Sequence, residues 1–227
     1  MNDPSDRAVE SQAAHASHHK ILEVAEMLFA RRGFSGVGVR EVAETAGLSK
    51  SSLFHHFRNK VELYEAVLAR VLARIEDRLS PTLSDDERCR ERLDRWIDAL
   101  IDALAEHPTT ARLLLRALFE DDDRPSEPSA AGKDLQATLG RIIEGLTGIL
   151  AAGVEQGVFR AVSSAHTVQT VIGATVYHFA SGDFGAELCG GSLVARDAVR
   201  QRKREVKALF HHGLAAVPAG AGAGGAT

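Results

Sequence analysis

The run "SKSSLFHHFRNK", Ser49 to Lys60, packs three serine hydroxyls, two adjacent histidines and cations at both ends into a short segment. Short hydroxyls reach phosphate oxygens and base edges, and lysines at the two ends reach the strands that flank a major groove. If Leu53 and Phe57 seat this segment on an apolar support, then Lys50, Ser51, Ser52, Phe54, His55 and His56 face outward. Arg40 and Lys60 bracket them. The planar two-pronged donor of Arg40 suits a guanine edge. The chemistry on offer is the grip of a nucleic-acid duplex.

Catalysis is the competing use of such residues. The ten histidines form no His-x-x-x-His pair with a glutamate between on one helix, and neither a phosphate-cradling glycine loop nor a nucleophile elbow is present. The acidic clusters "SDDE" and "DDDRPSEP" fall in loop-like segments. Cys89 and Cys189 have neither metal-ligand spacing nor a disulfide framework, which suits a reducing cytoplasm. The expectation is therefore a protein that is not an enzyme, with no catalytic residue, metal or cofactor.

The elements that must position these residues are helices. Ile21, Leu22, Ala25, Leu28 and Phe29 form one apolar stripe that stops near Arg31-Arg32-Gly33. Val39, Val42, Ala43 and Ala46 form a shorter one closed by Gly47, and Ser49 is placed to cap the next helix. Asn59 followed by Glu62 resembles a capping box for a fourth helix to about Leu79. Five further helical stripes follow, the last from about Leu193 to His212, and no strand-like alternation of any length occurs. The fold class is all-α, about nine helices: an N-terminal three-helix helix-turn-helix domain plus a larger C-terminal helical domain. The boundaries expected are a loose tail over 1–17, the helix-turn-helix over 18–62, a sensing and dimerisation domain over 63–216, and a disordered Gly/Ala tail over 217–227.

Composition fits this reading. Hydrophobic residues are 44% and charged residues 26%, a globular balance. The apolar runs look short against the ~20 residues of a bilayer span, and the polar, acidic N-terminus does not resemble a secretory signal. No membrane partner is expected, and the cytoplasm is the expected location. The net charge of −4 hides a split, because residues 18–60 carry a net +3. Basic groups near phosphate release counterions, so the local sign matters more than the total.

The segment Ile21 to Leu68, and "AGLSKSSLFHHFRNKVEL" within it, resembles the N-terminal DNA-binding domain of TetR-family transcriptional regulators. The resemblance implies that Arg40, Lys50, Ser52, His55, His56 and Lys60 face the operator. Two positions depart from the family's pattern: Phe54 stands where tyrosine usually touches phosphate, and Gly38 where Thr or Ser often caps the second helix. A helical interaction module that has lost DNA binding is the alternative these two departures suggest.

One recognition helix reads too few base pairs, so such modules pair across a two-fold axis with their helices ~34–36 Å apart. A homodimer is expected on the last two long helices. One seam is Val168, Val171, Ile172, Thr175, Val176 and Phe179; the other is Val199, Val206, Leu209 and Phe210. The alternative is that these stripes face the domain's own core. The resemblance also implies a small-molecule pocket. The apolar walls expected are Trp96, Leu100, Leu104, Leu114 and Leu118, with Ile142, Leu146 and Ile149; the polar anchors are His107, Tyr177 and His178. Few charges fall on those stripes, so the expected effector is apolar or aromatic, and the expected outcome is a repressor released from its operator by it. The basic run Arg200, Arg202, Lys203, Arg204, Lys207 reads as a wet outer face.

Overall fold

The structure, a computed structural model of the full chain, describes residues 4–84, 88–119 and 129–216. Among these the fold is all-α, as expected: α1 (Pro4–Arg32), α2 (Val39–Thr45), α3 (Lys50–His56), α4 (Lys60–Leu79), α5 (Cys89–Glu106), α6 (Pro108–Phe119), α7 (Ala130–Glu155), α8 (Ser164–Ala180), α9 (Gly182–Leu188) and α10 (Arg196–Leu214). A 3-10 turn covers Ser80–Leu83, and one isolated bridge joins Phe159 to Ala215.

Several boundaries differ from the sequence reading. The loose tail expected over 1–17 is helical from Pro4, continuous with α1. Proline at a first helical position and the alanines of "SQAAHAS" favour helix there. The short α9 was not expected. Pro108 opens α6, where its missing N–H costs nothing, in addition to ending α5. The expected loop "DDDRPSEPSAAG" lies largely outside the described residues, and its final Ala130–Gly132 belongs to α7. The Gly/Ala tail over 217–227 also lies outside them.

Helix α7 corrects the reading that every apolar run is short. By length and composition it is the one helix among the described residues that could cross a membrane. Its buried Ile142, Leu146, Ile149 and Leu150 instead make it a core helix with one side packed.

By contact the chain forms two compact units, divided otherwise than at residue 62. The first comprises residues 1–73 and 109–138, the second 74–108 and 139–227. In the first unit, Ile21, Ala25 and Phe29 of α1, Val42 and Ala43 of α2, Leu53 of α3 and Leu63 and Val67 of α4 are shut from solvent. Glu26 of α1 is buried with them and accepts from Arg70 of α4 at 2.6 Å, with Thr109 of α6 at 3.4 Å.

In the second unit, α5 and α10 are joined by a ladder of charges. Asp94 meets His211 at 2.6 Å, Asp98 meets Lys207 at 2.7 Å, and Asp102 meets Lys203 at 2.6 Å. Four-residue steps forward on one helix match four-residue steps backward on the other, which sets an antiparallel register. The wet outer face expected for the basic run therefore fails at Lys203 and Lys207, and at Arg202, whose guanidinium donates to the Ala174 carbonyl of α8. Close packing also marks the end of α7. A Cβ on Gly153 would run into the Phe159 ring.

Candidate nucleic-acid interface

The turn before α3 explains why its face points outward. Gly47 adopts φ +68, where a Cβ would clash, and its N–H reaches the Glu44 carbonyl at 3.0 Å. The Leu48 N–H reaches the Ala43 carbonyl at 2.9 Å, which completes a Schellman end for α2. Ser49 then caps α3, its hydroxyl accepting from the Ser52 N–H at 3.1 Å. Leu53 and Phe57 anchor the helix in the core of the first unit, where Val42 and Ala43 of α2 and Ala46 just after it are also buried. At the far end Asn59 accepts from the Glu62 N–H at 2.8 Å, while the Glu62 carboxylate accepts from Arg58 N–H at 2.7 Å. The capping box is thus displaced by one residue from its usual pattern.

With that seat, Lys50, Ser51, Phe54 and His55 are exposed, and Ser52 and His56 are half-buried. The Lys50 ammonium lies 5.6 Å from the Phe54 ring centre, so the ring that stands for the family's tyrosine carries a cation across it. Arg40 is exposed on α2 and bound to Glu44 at 2.8 Å. Lys60 is drawn over the Phe34 ring at 4.3 Å and is half-buried, less available than its place in the sequence suggested. Gly38 caps α2 with extended backbone and no side-chain bond, and a Cβ there would meet nothing within 4 Å.

The residues expected to sense an effector are not all interior. Trp96, Leu100, Leu104, Ile142, Leu146 and Ile149 are buried, and Leu114 is half-buried. Leu118, Tyr177 and His107 are exposed. The His178 ring is half-buried, and burial, helped by the nearby Arg202 charge, lowers its pKa to about 4. The Trp96 indole N–H is buried and finds no acceptor among the described residues. A different hollow opens in the second unit, an open groove of about 490 Å³ lined by Arg160, His166, Thr170, Leu209 and Phe210 among others.

The two expected dimer seams are mostly turned inward. Val168, Val171, Thr175, Val176 and Phe179 of α8 and Val206 and Phe210 of α10 are buried within the chain's own second unit. Ile172 and Val199 are half-buried, and only Leu209 of the ten is exposed. Helical spacing had marked the core face. The large apolar side chains left outside on this unit include Tyr177, Phe184, Leu188, Val194 and Leu209.

Residues 21–67 match the family signature described as bacterial regulatory proteins, tetR family, and residues 90–209 match the tetracyclin repressor-like C-terminal domain. The second match alone spans more than half of the chain. The chain belongs to the TetR family. Its N-terminal segment is 41% identical over 49 residues to the HTH-type transcriptional repressor KstR2 of Mycolicibacterium smegmatis, covering 22% of this chain and 24% of that protein. It is 45% identical over 51 residues to the HTH-type transcriptional activator FasR of the same organism, covering 22% and 23%. The match thus spans about a quarter of the length of these curated relatives.

Beyond that segment the likeness is one of fold. The ketosteroid transcriptional regulator KstR2 of Mycobacterium tuberculosis superposes with a TM-score of 0.68 at 21% identity, over 87% of this chain and 94% of that one. AibR in complex with isovaleryl coenzyme A and operator DNA gives 0.67 at 17%, over 85% and 97%. FadR of Bacillus subtilis in complex with stearoyl-CoA gives 0.64 at 17%, over 86% and 98%. Within the TetR frame α2 and α3 are the helix-turn-helix, and the two departures from the family's pattern, Gly38 and Phe54, leave its geometry unstrained.

Proposed function

We propose that this TetR protein is a dimeric transcriptional regulator that grips operator DNA through α3 and lets go when a small apolar molecule binds its larger domain. The observation that carries the reading is the outward face of α3: Lys50, Ser51, Phe54 and His55 exposed on a helix fixed by Leu53, Phe57 and the Ser49 cap. A rigid seat is what base reading requires, because side chains must arrive in a groove with little ordering left to do. Arg40 and Lys50 supply the charged contacts, with Ser52, His56 and Lys60 at the margins.

A dimer follows from the need for two half-sites. Its surface in this reading is the outer side of the second unit, with Tyr177, Leu209 and Ile172 at its centre, in place of the inward residues first expected. The effector class is an apolar acyl or steroid compound, free or as its coenzyme A thioester. The buried apolar set around Trp96 favours it, and so do the compounds named with KstR2, AibR and FadR. Release operates by linkage: the effector shifts the dimer only by its difference in affinity for the two spacings. Repression is the default for a dimer lying across a promoter, and the match to the activator FasR is the observation that favours the second reading.

The test is gel retardation of the DNA upstream of the protein's own transcription unit, with isovaleryl-CoA, stearoyl-CoA and a ketosteroid added in turn. Release of the duplex by one of them, together with a change in the fluorescence of the single tryptophan, Trp96, supports the effector reading. Retardation untouched by all three, with unchanged fluorescence, removes it. A reporter gene behind the same DNA then separates repression from activation.

A further inference from the structure

The N-terminal part of α1 carries a cluster that operator reading by α3 leaves without a task. His15, His18, His19 and Lys20 are exposed there. The His18 ring stacks on Phe57, centroids 5.1 Å apart, and meets the edge of His56 at 5.7 Å. The Lys20 ammonium lies 3.7 Å from the place a Cβ on Gly47 would take. One segment of α1 therefore brings an imidazole to the end of α3 and an ammonium to the turn that precedes it. In a helix-turn-helix complex the duplex backbone passes the ends of the recognition helix, so both sites are where phosphate arrives.

We propose that Lys20, His18 and His56 form a proton-linked phosphate clamp at the two ends of α3, so that operator binding draws a proton from solvent onto the His18 imidazole. The inference rests on the DNA-binding reading above and adds to it a second arm of contacts and a dependence on pH.

The surroundings of His18 give the linkage its sign. Burial, then the neighbouring His56, His15, Arg70 and His19, hold its protonation below the ordinary imidazole value. No carboxylate is among these influences. Glu26 is committed to Arg70 at 2.6 Å, and Glu23 pairs with His19 at 3.6 Å. Free protein thus keeps His18 neutral near neutrality. A phosphate oxygen beside the ring favours the charged form and raises the pKa in the complex. Protons are then taken up on binding, and affinity grows as pH falls from the bound-state value toward the free-state value, by at most about tenfold per pH unit for one proton.

The test uses the full chain and a duplex selected by it from a random pool, with Kd read by fluorescence anisotropy between about pH 8 and about pH 6 and across a salt series. Wild type is expected to bind roughly five- to tenfold tighter at the acid end. His18→Phe keeps a ring on Phe57 yet holds no proton, and it is expected to lose at least half of that logarithmic change. His18→Gln, lacking the ring, is expected to flatten the profile equally. Lys20→Gln is expected to reduce the slope of log K against log salt by about one. A His18→Phe profile that superimposes on wild type overturns the clamp. Flattening in His18→Gln alone does so too, since the ring stack and not the proton is then responsible. Binding independent of pH overturns this inference while sparing the operator reading. A wild-type chain that selects no duplex at any pH overturns both.

Discussion

The Glu26 carboxylate and the Arg70 guanidinium meet at 2.6 Å, with side chains only 8% and 18% exposed. They tie α1 to α4. Thr109 of α6 joins the same carboxylate at 3.4 Å. A paired charge at this depth is a matter of position more than of net stability, because desolvation offsets most of the attraction.

Removing one member is expected to be worse than removing both. Arg70→Ala takes the cation from a buried carboxylate and should cost about 3–5 kcal/mol in urea unfolding. Glu26→Leu with Arg70→Met should recover more than half of that loss. An Arg70→Ala chain as stable as wild type would show that the pair holds nothing in place.

The turn gives a second expectation. Gly47→Ala places a Cβ at φ +68 and should destabilise the chain by about 1 kcal/mol. Because the clash lies in the turn and not in the recognition face, DNA affinity should fall through misplacement of α3, with the salt slope unchanged. Unchanged affinity would show that this turn does not set the placement of α3.

Gly38 offers the converse. Its backbone is extended and a Cβ there meets open space, so Gly38→Ser should be accepted. The added cap is expected to raise stability by a few tenths of a kcal/mol, and the hydroxyl to tighten DNA binding. Thermal melting and anisotropy with the same duplex check both.

His178 sets an acid limit. Its pKa near 4 in the folded chain lies below the ordinary 6.5, so the unfolded chain binds the proton first. Its contribution is present above about 6.5 and is lost as pH falls toward 4. His178→Phe should therefore lose less Tm than wild type across that window, in a pH series of melting curves. Parallel curves for the two proteins would contradict the assignment.

The charge ladder gives a last expectation. Asp98→Lys alone sets like charges against Lys207 and should lower Tm, and Asp98→Lys with Lys207→Asp should restore most of it, as a double-mutant cycle would report. Equal Tm in all four proteins would show the ladder to be incidental.

The recognition helix was legible because everything that places it is local. Gly47, Ser49, Leu53 and Phe57 lie within eleven residues and each acts on its own turn. The seams on α8 and α10 were not, because helical spacing marks a buried face without saying what buries it. Val171, Thr175 and Val176 repeat correctly and face their own core. The helix over 4–17 escaped notice since it has no apolar stripe to reveal it. The ladder was written in the spacing of Asp94, Asp98 and Asp102 and of Lys203, Lys207 and His211, but pairing stripes a hundred residues apart needs the fold itself. Lys20 was counted only as local charge and His18 only among the ten histidines, and the packing of α1 is what brings them to α3.

The account stands most directly on DNA retardation by the full chain compared with its Arg40→Ala, Lys50→Ala double variant, on one duplex at matched salt. Sharp retardation by wild type, abolished in a double variant that melts at the same temperature, is the expected result. Equal retardation by both proteins would contradict the assignment of α3 and Arg40 as the surface that holds DNA.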